Sequence, residues 1–92
     1  MALTYKNCSE KIVDSEFRMA VKIELARTAM AWLNDDKSAV NYDIKTAWAK
    51  NALQNLDNVA EGLYTIIAAN LTDDNTSVSN TVIAVCTTLA TK

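Results

Sequence analysis

Histidine and proline are absent from the 92 residues, glycine occurs once and cysteine twice. Without histidine the chain lacks the commonest general base, the commonest zinc ligand and the usual activator of a serine or cysteine nucleophile. With Gly62 as the sole glycine, no glycine-rich loop is present to cradle a phosphate. Cys8 and Cys86 stand at opposite ends with no C-x-x-C spacing, so each thiol reads as a small apolar residue rather than as part of a disulfide or redox motif. No apolar run approaches the ~20 residues that span a bilayer. The opening Met1-Ala2-Leu3-Thr4-Tyr5-Lys6-Asn7 lacks the basic-then-apolar layout of a secretion signal. The expected setting is the cytoplasm, without secretion and without a membrane partner. Nine basic against eleven acidic residues leave a net charge of −2, and no nucleic-acid partner is expected from so sparse a basic surface.

What is present is a globular composition, 50% apolar and 22% charged, long enough for one domain over 1–92. Turns are marked by polar clusters at 34–38, 55–58 and 72–77, each rich in Asn, Asp, Ser or Thr that can cap a helix. They divide the chain into four segments of helical periodicity, about 14–33, 39–55, 57–71 and 77–90, after an N-terminal arm over 1–8. The expected fold is all-α, a small bundle of about four helices with the N-terminal helix longest.

At about 100° per residue, Phe17, Val21, Leu25, Thr28 and Trp32 of the first segment share one face. Met19, Ile23, Ala26, Met30 and Leu33 share the opposite one. Glu16, Glu24 and Arg27 run along one seam between the faces and Arg18 and Lys22 along the other, with Asp14 or Ser15 as cap. The second segment, capped by Ser38 and ended by Asn55, sets Val40, Ile44, Ala47 and Trp48 against Tyr42, Ala49, Leu53 and Leu56. The third opens at Asp57 or Asn58 with Glu61 in its first turn, and Val59, Leu63, Ile66, Ile67 and Asn70 form its stripe, widened by Ala60, Tyr64 and Leu71. Gly62 there costs roughly 1 kcal/mol against Ala, which suggests close approach of a neighbouring backbone. In the fourth, Val78, Val82, Val85, Cys86 and Leu89 make a helical stripe. Its many β-branched residues favour a strand by local propensity, and a strand would have to pair with 3–6 or with another subunit.

Neither Asp35-Asp36 nor Asp73-Asp74 has the glycine and the distal glutamate of a calcium loop, so both read as turns and no metal site is expected. Glu16, Glu24 and Glu61 lack a second positioned group for acid–base work and read as solvated. Trp32 and Trp48 read as core aromatics rather than as a stacking site. No catalytic residue, cofactor or small-molecule substrate is expected, and no enzyme activity.

Two opposed apolar faces on the long helices exceed what a chain this small can cover, since a small domain buries only ~60–65% of its unfolded surface. The surplus marks an interaction surface, with Met19, Ile23, Met30, Leu33, Tyr42 and Leu53 as candidate interface residues. Two partnerships fit it: multiple copies of the chain, or a cytoplasmic helical adaptor that binds one partner protein helix-in-groove.

The Met1-Ala2-Leu3-Thr4 opening, the first helix ending in Trp32-Leu33, the stretch Tyr42-Asp43-Ile44-Lys45-Thr46-Ala47-Trp48-Ala49-Lys50, the following Leu53-Gln54-Asn55 and the final apolar helix together carry a likeness. The chain resembles the small α-helical structural proteins of tailed bacteriophage virions. The resemblance implies a virion component of the neck, tail or capsid, present in several copies beside other virion proteins and assembled in the host cytoplasm. It brings no catalytic motif.

Overall fold

Ala, Leu, Met and long charged side chains dominate the first periodic segment and lose little rotamer freedom in a helix. In the computed structural model, which describes residues 15–35, 37, 42–70 and 77–91, that segment is the longest helix, α1, Ser15–Leu33. It is followed by α2, Tyr42–Gln54, α3, Leu56–Asn70, and α4, Val78–Ala90. The described residues thus form an all-α bundle of four helices with the first the longest. The arm 1–8, Cys8, the 3–6 segment, the caps Asp14 and Ser38, and Asp36, Val40, Leu71 and Asp73-Asp74 lie outside the described residues.

α1 makes the most extensive contacts of the four, packing on α2, α3 and α4. Its expected inner face is the buried one: Phe17, Val21 and Leu25 have no exposure, and Thr28 and Trp32 are nearly closed off. Ala29 joins them, so the covered arc is wider than the large side chains alone suggest.

On α2 the two expected faces change places. Ala49 and Ala52 are buried and Trp48, Leu53 and Leu56 pack partly against the core, whereas Ile44 is 44% exposed and Ala47 points outward. Small alanines let the backbone of α2 come close to α1, and the leucines fill the space beside them. Leu53, taken from the sequence as an interface residue, therefore contributes to the protomer's own interior, as does half-buried Leu33.

A single residue joins α2 to α3. The Asn55 N–H donates to the Asn51 carbonyl at 3.0 Å, and its own carbonyl accepts from the Val59 N–H at 2.9 Å. Its side-chain amide donates to the Asn51 carbonyl at 3.2 Å and to Asn51 Oδ1 at 3.1 Å. Asn55 thus closes one helix and opens the next, and α3 starts ahead of the expected Asp57 or Asn58. One residue is shorter than the 2–5 residues of a helical hairpin, and α2 and α3 each pack more extensively on α1 than on each other.

The buried stripe of α3 is Ala60, Leu63, Tyr64 and Ile67. Ile66 and Asn70, expected inside, lie at the exposed edge. Gly62 is exposed, and a Cβ placed on it meets nothing within 4 Å, so the expected close backbone approach is absent. The fourth segment is helix and not strand. Ser77 caps it, its Oγ accepting the Asn80 N–H at 3.2 Å. The threonines that argued for a strand turn their hydroxyls back onto the helix: Thr81 donates to the Ser77 carbonyl at 3.1 Å, Thr87 to Ile83 at 2.7 Å and Thr88 to Ala84 at 3.0 Å. With their hydroxyls satisfied in this way, burial of Val78, Val82, Val85 and Cys86 outweighs local propensity.

Candidate protein–protein interface

The seam of α1 that carries Arg18 and Lys22 is fastened to α3. Arg18 Nη1 donates to Glu61 Oε1 at 2.6 Å, and Lys22 Nζ lies 2.8 Å from Asp57 Oδ1. The Arg18 guanidinium also sits 4.7 Å from the centre of the Tyr64 ring, whose hydroxyl donates to the Arg18 carbonyl at 3.4 Å. Lys22 has its pKa raised, chiefly by the hydrogen bond to Asp57 and then by that carboxylate's charge. Because α3 begins at Leu56, Asp57 is the first-turn acid and Glu61 lies beyond it, serving the ion pair instead. On the other seam Arg27 Nη1 meets Glu24 Oε1 at 3.2 Å, and Glu24 is 19% exposed rather than freely solvated. Between α1 and α2 the two tryptophans stack edge-on, ring centres 5.7 Å apart and planes at 60°, with Lys45 Nζ 5.2 Å from the Trp32 ring. Both indoles are core aromatics, although the sequence placed them on separate stripes.

The outer face of α1 stays open. Met19 is 58% exposed, Ile23 44% and Met30 56%, and all three share the stripe that points away from the buried face. Of the six candidate interface residues these three are brought together on one surface. Leu33 and Leu53 pack on the core, and Tyr42 at the start of α2 is half-buried. Met19, Ile23, Ala26, Met30 and Leu33 follow one another at intervals of four, three, four and three residues, the alternation of a coiled-coil seam. A fully buried side chain of this size gains about 1.5–3 kcal/mol, so covering three half-open ones would stabilise an assembly by roughly 3 kcal/mol per copy.

A second open surface, uncharged and of mixed apolar and polar side chains, lies between α3 and α4, and the sequence reading missed it. A groove of about 560 Å³ runs between the two helices, lined by Ile66 and Asn70 on one side and by Asn80, Thr81, Ala84, Val85, Thr88 and Leu89 on the other. Ile66 at its edge is 38% exposed, and Ile83 on the outward side of α4 is 44% exposed. Among the described residues, 62–70 and 77–91 contain no Asp, Glu, Lys or Arg. That charge gap is legible in the sequence. Depletion of charge at exposed apolar positions is a mark of interface centres.

Reactive chemistry is sparse by comparison. Burial pushes the Cys86 thiol up to about 12, which leaves it protonated and inert near neutral pH. Thr46 Oγ1 is buried with no hydrogen-bond partner, a cost to stability rather than a tool for catalysis. Among the described residues no group of three or more Cys, Asp or Glu is placed to hold a metal ion, and no helix is long and apolar enough to cross a membrane. No family model, curated protein or solved structure matches the chain.

Proposed function

We propose that the protein is a non-enzymatic structural component of a tailed-phage virion, in the neck, tail or capsid, that assembles in multiple copies through the outer face of α1. The observation that carries the assembly is the joint exposure of Met19, Ile23 and Met30 along one helix stripe. The virion setting is supported by the resemblance of helix lengths and of the 42–50 stretch. A gain of roughly 3 kcal/mol per copy is small against the 4–15 kcal/mol lost when two molecules associate. Such a face suits a particle in which each copy is held by several neighbours, so that every contact after the first forms at high effective concentration.

Native mass spectrometry of the purified chain tests the assembly. A closed oligomer that grows in with protein concentration is expected, and Met30→Lys should leave the helical circular dichroism nearly unchanged while reducing the species to monomers. Unfolding of that variant would place Met30 in the protomer's interior and defeat the reading. The reading frames that flank this one test the setting: portal, capsid or tail genes are expected there.

The second reading, an adaptor that takes a partner's helix, is favoured by the groove between α3 and α4. A monodisperse monomer at all concentrations would favour it.

A further inference from the structure

The open ridge of α1 and the open groove between α3 and α4 are complementary in shape and in chemistry. The ridge is convex: Met19, Ile23 and Met30 stand out of it, with Ala26 between. From Met19 to Met30 it runs about 16 Å at the rise of an α-helix. The groove is concave, and from Asn80 to Leu89 its α4 wall runs about 14 Å by the same rise. A helix laid into a channel between two others needs apolar side chains at steps of three and four residues on the docking helix and an open channel on the receiving pair. Both halves of that requirement are present on one chain.

Charge narrows the occupant further. The groove and its described shoulders over 62–70 and 77–91 hold no charged side chain. A nucleic acid or an anionic lipid surface would meet no cation there, and a docking helix must offer it a stripe free of charge even where its flanks are charged. The ridge positions are uncharged as well. Ridge against ridge would set convex on convex and leave about 560 Å³ unfilled between α3 and α4, whereas ridge in groove covers both open uncharged surfaces in one contact.

We infer that the occupant of the α3/α4 groove is the α1 ridge of a second copy of this chain. This deepens the assembly reading above and rests on it. The contact is head-to-tail: each copy offers its ridge to one neighbour and its groove to another. Such a contact closes into a ring where the rotation between copies allows it and otherwise continues as a filament.

Two variants test this, each blocking one side with a charge at an exposed position: Ile23→Glu on the ridge and Ala84→Glu in the groove. Circular dichroism of each should match the parent chain; Met19→Lys and Thr88→Lys replace them if either unfolds. The parent chain is expected to form oligomers in native mass spectrometry, and each variant alone should be monomeric. Mixed one to one, the two should give a heterodimer of twice the 10.1 kDa chain and nothing larger, because one intact ridge meets one intact groove. A groove variant that still assembles alone, or a mixture that stays monomeric while the parent chain assembles, overturns the head-to-tail contact and leaves the assembly reading standing. A parent chain that is monomeric at every concentration removes both.

Discussion

The molecule divides near Gly62 into two regions stabilised in different ways. Up to Glu61 the surface is laced with charge, and ion pairs from Arg18 and Lys22 tie α1 to α3 over the shared core. Beyond it, the C-terminal half of α3 and the whole of α4 carry no charged side chain among the described residues. Apolar burial and threonine hydroxyls folded back on their own helix hold that region. Exposed ion pairs contribute only about 0–1 kcal/mol each, so the charged region is not thereby much the more stable. The ion pairs fix which helices lie side by side, while the uncharged region remains free to meet another apolar surface without stranding a charge.

The comparison breaks first at the core. Leu25→Ala and Ile67→Ala, one in each region and both fully buried, should each cost roughly 2–5 kcal/mol in urea unfolding. A loss below about 1 kcal/mol at Leu25 would mean that the inner and outer faces of α1 are exchanged. A large loss at one site with none at the other would show two separate cores.

Alkaline pH sharpens it next. The buried Cys86 thiol is pushed up from its ordinary 9.0 to about 12, and desolvation raises Tyr64 as well. Above pH 9 the unfolded chain releases the Cys86 proton while the folded chain keeps it, so stability falls as pH rises from 9 toward 12. The raised Lys22 adds loss in the same direction above its ordinary 10.5. Urea midpoints at constant ionic strength should decline across that window, and Cys86→Ala should flatten the first part of the decline. A midpoint unchanged up to pH 11 would contradict the burial of the thiol.

The smallest effect belongs to the boundary. Gly62→Ala should stabilise the protein by about 0.5–1 kcal/mol, because the helix gains a better former and its Cβ meets nothing. Destabilisation by thermal melting would mean that a neighbour occupies the open space there.

Much of this architecture was legible in the residues. The inner face of α1 could be read because its buried positions are large and evenly spaced, and Ser77 and Asn55 announced helix ends. The face of α2 was misread since alanines do the burying: Ala49 and Ala52 signal weakly, whereas Ile44 signals strongly and lies outside. On α3 the stripe was displaced toward Ile66 and Asn70 for a similar reason, with Ala60 and Tyr64 given too little weight. The open ridge could be read as a second stripe on one helix. The groove could not, because it exists only where two helices that the sequence places apart come together, and periodicity within either one says nothing of the channel between them.

The paired indoles between α1 and α2 have a practical outcome. Both tryptophans of the chain report from the charged region, while the buried thiol of Cys86 reports from α4. Emission and thiol labelling followed side by side, with Cys8 replaced by serine, would therefore time the loosening of each end independently. If α4 lifts away before the rest melts, the sulfur becomes reactive while the fluorescence is still native.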